Sequence, residues 1–550
     1  MYQFKNVHHI TAGAGAGKTT RIVDIITELV AKGAKPERMI LTTFTDAAAT
    51  ERRAKSKAKL SPDDAVRMNG ALMGTLHSIA SRYINRYWYL LGLSPNVRPV
   101  SESISDILMN RSLEDIVTGE QKALFNKYVE TFGITDRDNG YYYDFWKDIL
   151  KTLLDKIRKY ESESEDNCLD YEGDTGLLLH YTLHQGRNNI YFEEVQDCFD
   201  KYRGFKDVVA QYATEAGKKT FETNCSQIDG ILALDPYEVD IRRLKEIEEL
   251  GWGRPVAMDR KKCPQKDQYD SEIAAAKEEV AAAAKRLARV LVPAECELLY
   301  PVKDCLFKIM DDWPSAYEKV KREAGVIDYT DMEAKFLTLL GMPEVQEDIR
   351  ASVDYLFVDE FQDSNPIQAR IYSILSTLIK QSWFVGDRKQ AIYGFAGSDA
   401  GLIAELVASF PKPEKDENSL TGFKKDEDGN SSEVLDTSRR STPKLVRAAN
   451  EIFVEAFKEA IYDSKDIIEE EHVRLKPDPT KVDTAWNPLY HVEIPPVGAK
   501  KTLDAEGVAT FVCTLASDPE FVKHYRLDDI AILTRTGSQA TNIGKALVKK

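Results

Sequence analysis

No apolar run among the 550 residues approaches the roughly 18 needed to span a membrane, and no basic segment leads into a greasy stretch after Met1. Neither a membrane anchor nor a secretory signal is expected, which points to a cytoplasmic protein. Cysteine is sparse: Cys168, Cys198, Cys225, Cys263, Cys296, Cys305 and Cys513 are dispersed, with no Cys-x-x-Cys pair. A scattered, odd set fits reduced thiols and argues against a disulfide framework, a zinc ribbon or an iron–sulfur cluster. Internal repeats are absent as well, which excludes a solenoid or a propeller.

What is present is ordinary for a folded protein: 43% hydrophobic and 30% charged residues. The length calls for roughly two to four domains. A formal net charge of −16 does not exclude a polyanionic partner, because binding depends on where the charge sits. Glu161 to Asp174 and Glu414 to Glu433 read as acidic, solvent-facing tracts, the second as a polar surface insertion. Arg52, Arg53, Lys55, Lys57 and Lys59 form a compact basic cluster.

The sharpest local signal comes early. Val7 to Thr11 reads as a short buried strand and runs into Ala12-Gly13-Ala14-Gly15-Ala16-Gly17-Lys18-Thr19-Thr20. An apolar-periodic stretch through Ile22, Val23, Ile26, Leu29 and Val30 then reads as a helix. Strand, small-residue loop and helix are the context in which backbone N–H groups wrap a polyphosphate. Lys18 is placed to reach its β- and γ-phosphates, and the Thr19 hydroxyl to ligate magnesium. A second strand, Met39 to Thr43, continues the rhythm of a parallel, helix-covered sheet.

Near the middle, Tyr355-Leu356-Phe357-Val358 precedes Asp359-Glu360-Phe361-Gln362-Asp363. Four consecutive apolar residues predict a strand buried on both faces, with two carboxylates at its C-terminal edge, where ligand sites form in open α/β sheets. Asp359 is placed to hold a metal, directly or through water, and Glu360 to polarise a water attacking the γ-phosphate. A third buried strand, Ser382 to Val385, ends in Gly386-Asp387-Arg388-Lys389-Gln390, with Gln390 a candidate γ-phosphate sensor. Further on, Arg439-Arg440 offers a candidate transition-state arginine or simple surface charge.

These segments resemble the UvrD/Rep/PcrA branch of superfamily 1 helicases, with RecB and AddA as larger relatives. Ala12 to Thr19 looks like the family's first motif, with Ala12 in place of glycine. Thr43-Phe44-Thr45-Asp46 with Ala48, Ala49 and Glu51, then Gly74-Thr75-Leu76-His77-Ser78 and Ile327-Asp328-Tyr329-Thr330-Asp331-Met332, resemble the motifs that follow. Asp359 to Asp363, Gly386-Asp387 with Gln390 to Phe395, Leu435 to Ser441 with Asn450, and Asp529 to Arg535 as a strand complete the family's order. The resemblance implies a motor moving 3′ to 5′ along single-stranded DNA, or duplex with a single-stranded tail, driven by ATP and magnesium. It makes Glu360, Gln390 and Arg440 catalytic. It places Thr45, His77, Tyr393 and Phe395 on the DNA track, where aromatic faces stack on bases of any sequence. Core packing competes for the two aromatics, and a structural role for His77. Ala396 stands where the family has arginine, and Arg439 where it has the tyrosine that stacks on the base.

The expected fold is α/β: a P-loop, RecA-like parallel sheet from residues 1–85 and 341–400, a helical insertion over 86–340, and a partial second RecA-like domain over 401–550. Glu272 to Val292 predicts a long helix, packed or projecting as a coiled-coil arm. Trp88, Trp146 and Trp313 are candidate anchors of the helical core. After Arg535 the family's remaining motifs do not follow, so either a fragment or a natural chain completed by a partner is expected, the fragment being favoured, and it binds nucleotide through Lys18 and Asp359 but hydrolyses weakly and does not unwind. The large insertion also suits the motor subunit of an AddA- or RecB-like helicase–nuclease, partnered by a nuclease or recombination subunit. A nucleotide-dependent DNA-binding module without chemistry is the third possibility; intact Lys18, Thr19, Asp359, Glu360, Gln390 and Arg440 argue against it.

Overall fold

The structure is a computed structural model that describes residues 2–135, 140–160, 173, 175–179, 190–235, 239–248, 255–290, 293–392, 399–460, 474–483, 492–493 and 504–550. Two compact units are distinguished: residues 1–11 with 18–434, and residues 12–17 with 435–550.

The first unit is organised by a six-stranded sheet. Its strands are β1 (Val7–Ala12), β2 (Met39–Thr42), β3 (Leu72–Gly74), β4 (Tyr355–Asp359), β5 (Gln381–Gly386) and β6 (Ser431–Leu435), in the order β3-β2-β4-β5-β1-β6. The β-branched and aromatic runs seen in the sequence form these strands because both faces are covered. Parallel register pairs Thr42 with Val358 and Gly74, Asp359 with Val385, and Thr11 with Gly386. The segments that leave β1, β2, β3, β4 and β5 therefore emerge along one edge.

Helices α1 (Lys18–Ala31), α2 (Asp46–Lys59) and α3 (Leu76–Arg86) follow β1, β2 and β3. Thr45 caps α2 and Thr75 caps α3, each hydroxyl accepting a backbone N–H of the first turn. Strand residues Leu356, Val358 and Phe384 share one core with Ile79, Ala80 and Tyr83 of α3.

Between residues 102 and 324 the described elements are helical. Helices Glu102–Ile116, Gly119–Phe132, α4 (Phe145–Tyr160) and α5 (Leu299–Ala324) enclose a core containing Phe125, Trp146, Leu150 and Trp313. Trp146 and Trp313 are anchors there. Trp88 is not; it sits partly exposed in a short turn after α3, its ring edge against Tyr89. A separate cluster joins Ile190–Arg203, Glu215–Leu232 and Lys266–Val290. The last of these buries Ile273, Ala276, Val280, Ala283 and Leu287 at spacings of three and four, so it is a packed helix rather than a free arm.

Two helices return the chain to the sheet core, α6 (Tyr329–Leu340) and later α7 (Pro366–Leu378), contributing Phe336, Leu339, Ile367 and Ile371. A buried ionic cluster ties the insertion to α6. Arg158 of α4 donates to both oxygens of Asp328 at 3.0 and 2.9 Å and to Asp331 at 2.5 Å, while Lys321 of α5 also contacts Asp331.

Most of the tract from Glu161 to Asp174 lies outside the described residues. The end of the Glu414 to Glu433 tract differs from its expected role as a surface insertion. Ser431 to Glu433 are buried in edge strand β6, because His8 of β1 takes Ser431 Oγ at 2.8 Å and Glu433 Oε2 at 3.3 Å, and Arg21 also reaches Glu433. Paired polar side chains can lie inside; the sequence shows only their polarity.

The second unit contains helices Pro443–Ala460, Ala505–Ala516 and Gly537–Val548 and a two-stranded parallel sheet of Thr437–Ser438 with Lys476–Pro477. Asp529 to Arg535 is not a strand: a short 3-10 turn leads into irregular backbone, and Leu533 is 95% exposed. Among the described residues no strand pairs with it, and an unpaired parallel strand has no ladder to hold it. The six described cysteines are free thiols.

Candidate functional site

The loop that leaves β1 demands glycine at two places. Gly15 and Gly17 have φ of +76° and +92°, a region where side-chain-bearing residues are strained. Ala16 N–H closes the turn on Gly13 O at 3.0 Å. Ala12, by contrast, ends β1 in extended backbone, so alanine is tolerated where the motif has glycine. Lys18 then opens α1, whose first N–H groups have no intrahelical partners and favour an anion. Thr19 and Thr20 follow in that first turn.

Within the second unit, the loop meets the arginine doublet through backbone. Arg439 N–H donates to Gly15 O at 2.8 Å, and a β-carbon on Gly15 would lie 2.9 Å from Cβ of Arg440. Both arginines are exposed.

In the first unit, β4 delivers the two carboxylates. Lys18 Nζ donates to Glu360 Oε2 at 2.5 Å, although 341 residues intervene. Glu360 itself sits at φ +56°, ψ +45°, left-handed backbone uncommon for glutamate and a form of strain that gathers at functional sites. Burial alone would lift its carboxyl; hydrogen bonds from Gln362 and Lys18 outweigh this and hold it below the usual range. Asp359 is more deeply enclosed. Burial raises its carboxyl above the ordinary value, the nearby Glu360 charge adds to the rise, and ion pairing with Arg52 opposes both.

Asp359, Glu360 and Gln390 line one cavity of about 450 Å³, together with Thr45, Arg52 and Lys389. Gln390 rests its Nε2 on Asp387 Oδ2 at 2.7 Å. A second cavity, of about 560 Å³, is lined by Phe44, His77, Tyr329 and Glu333 among others. Phe44 and Tyr329 are about half exposed there. His77 Nε2 lies 3.1 Å from Glu333, and its ring meets Tyr329 edge-on, so a structural anchorage coexists with its open face. Tyr393 and Phe395 lie outside the described residues.

A family model described as the UvrD/REP helicase N-terminal domain matches residues 1–411. The chain belongs to the UvrD/REP helicase family. Three relatives are each named as a subunit of an ATP-dependent helicase/nuclease. The protein of Syntrophomonas wolfei subsp. wolfei is 25% identical over 84% of this chain and 38% of its own length. That of Ligilactobacillus salivarius is 23% identical over 75% of this chain and 36% of its own. That of Streptococcus pneumoniae strain CGSP14 is 22% identical over 86% of this chain and 40% of its own. The chain thus spans less than half the length of these relatives.

In this member of the UvrD/REP family the basic cluster of α2 is not an open anion-binding face. Arg52 is buried on Asp359, Arg53 reaches the carbonyls of Ala71 and Met73, and Lys55, Lys57 and Lys59 contact Glu51, Asn69 and Asp24. The sequence displays these charges but not their partners. Gln362 is visible only as a motif member and Glu333 only as the residue after Met332, and neither shows its bonding role locally.

Magnesium suits the donors. Thr19 and Asp359 offer hard oxygens, and among the described residues there is no group of three or more His, Cys, Asp or Glu side chains that could hold a metal. Magnesium needs no such cage, since it is bound through one or two carboxylates together with water and phosphate oxygens. No described helix is long and apolar enough to cross a membrane.

Proposed function

We propose that this chain carries the nucleotide-hydrolysing part of a motor that moves 3′ to 5′ along single-stranded DNA, fuelled by ATP with magnesium. The observation that carries the reading is the convergence of Lys18 and the Asp359–Glu360 pair at one sheet edge. The Ala12 to Gly17 loop wraps the phosphates in this reading, with the Ala16 N–H spent on Gly13 O, and Lys18, Thr19 and Thr20 stand at the helix start. On binding, Lys18 exchanges Glu360 for the β- and γ-phosphates, which frees Glu360 to take a proton from the attacking water. Thr19 and Asp359, the latter paired with Arg52 in this structure, would hold magnesium, which would neutralise charge developing on the phosphate oxygens. Gln390 senses the γ-phosphate and Arg440 stabilises transition-state charge. Thr45 and His77 contact the DNA strand in this reading, and Tyr393 and Phe395, outside the described residues, keep the base-stacking role that the family resemblance implies.

The domain assignment belongs to the same proposal with two expected boundaries moved, because α6 packs in the sheet core and β6 is a strand of the first unit's sheet: residues 1–85 and 329–434 as the first RecA-like domain, 86–328 as the accessory insertion, and the second domain beginning at 435 rather than 401. A second reading is favoured by the relatives' printed name. In it the chain is part of a helicase–nuclease motor subunit that works with a further recombination or nuclease subunit.

The test is magnesium-dependent ATP turnover by the chain with and without single-stranded DNA, beside Lys18→Ala. Turnover that rises with DNA and disappears in the variant supports the proposal. Turnover unchanged in Lys18→Ala removes it.

A further inference from the structure

We infer that Gln362 is a positioning residue for hydrolysis: it holds Glu360 in place and ties it to the strand end that carries Gln390. This rests on the ATPase reading above.

Gln362 lies in the short turn after β4 and is almost wholly buried. Its amide group is fully committed. Nε2 donates to Glu360 Oε2 at 2.9 Å and to Asp363 Oδ2 at 3.1 Å, while Oε1 accepts Asp387 N–H at 2.9 Å. Asp387 continues the path, its Oδ2 accepting from Gln390 Nε2 at 2.7 Å and its carbonyl accepting Gln390 N–H at 2.8 Å. Glu360 and Gln390, on two different strands' ends, are therefore joined through two side chains.

The packing allows little else in that position. A β-carbon on Gly386 would come within 2.7 Å of Gln362 Oε1, so the glycine leaves room for the amide. Glu360 stands in left-handed backbone and its neighbours must fix the carboxylate. Only a neutral amide of this length can donate to two carboxylates and still accept a backbone N–H. Glutamate would place a third negative group between Glu360 and Asp363, and asparagine is one methylene short.

The experiment uses the full chain with Gln362→Met and Gln362→Glu, alone and combined with Glu360→Gln. Nucleotide affinity is measured by fluorescent ATP titration, and kcat and KM by steady-state and single-turnover phosphate release. The expected result is affinity and KM within twofold of the parent, with kcat reduced roughly 10–100-fold, the usual effect of losing an outer-shell partner. In the Glu360→Gln background the same changes should cost less than twofold, because the group they position is gone. A kcat within twofold of the parent overturns the inference. So does an equal loss with and without Glu360, or a loss of affinity that matches the loss of rate. Should Gln362→Met fail to fold, Gln362→Glu keeps the shape and the Asp387 bond and carries the same comparison. A parent chain without Lys18-dependent turnover overturns the ATPase reading and this inference together, which is distinct from an active hydrolase indifferent to Gln362.

Discussion

Replacing Glu360 by glutamine should separate nucleotide binding from hydrolysis in opposite directions. Lys18 Nζ donates to Glu360 at 2.5 Å, so Glu360 competes with the phosphates for that amine. A hydrogen bond to a charged group is worth about 1.5–3 kcal/mol net. The Glu360 side chain is 31% exposed and that of Lys18 13%, so solvent screening reduces the pair to about 1 kcal/mol. Glutamine keeps the size and still accepts from Gln362 but gives up the charge. ATP should then bind roughly fivefold more tightly. Hydrolysis loses its base, and general-base catalysis contributes ~10²–10⁴-fold. Fluorescent ATP titration reads the first effect and phosphate release the second. Weaker binding, or a turnover rate within threefold of the parent, would refute the reasoning.

Three further outcomes follow from the packing. Arg158→Met removes the bidentate partner of Asp328 and one of the two cations on Asp331, and should cost about 3–5 kcal/mol in denaturant unfolding at neutral pH. Burial would lift Asp328, yet Arg158 holds it down at about 2, so its contribution is present above the unfolded value of ~3.9 and is lost as pH falls toward 2. The difference between variant and parent should accordingly shrink below about pH 4, and a pH-independent difference would contradict this assignment. Gly386→Ala pushes a methyl group against Gln362 and should destabilise by about 1–3 kcal/mol, read as a lower melting temperature, while an unchanged melting point would show that the turn yields freely. Leu287→Ala empties a fully buried site in the outer helical cluster and should cost about 2–5 kcal/mol there, seen as faster amide exchange over 190–290 with ATP affinity unaltered.

The parts legible in the sequence were those written in local pattern. Tyr355 to Val358 and Ser382 to Val385 are largely apolar runs too short for helices, Val7 to Thr11 is a short segment leading straight into the glycine-rich loop, and each is a sheet strand. Gly15 and Gly17 fall where the backbone turns left-handed, which small residues next to Lys18 already suggested. What escaped depends on distant partners. Arg52 looked like surface charge because its carboxylate lies more than 300 positions away, and β6 looked like a polar loop because His8 and Arg21, which satisfy its side chains, sit at the other end of the unit. Asp529 to Arg535 has a strand's composition, but a strand also needs a neighbour, and composition does not reveal one. Gln362 was read within its motif, while its importance lies in a bond to Asp387, 25 residues on.

The most direct measurement is a crystal structure of the chain with magnesium and a non-hydrolysable ATP analogue. Lys18 Nζ should have left Glu360 for the β- and γ-phosphates, with the metal beside Asp359 and Thr19 and the Gly13 to Gly17 N–H groups around the polyphosphate. A nucleotide bound elsewhere, or one bound while Lys18 stays on Glu360, would contradict the account.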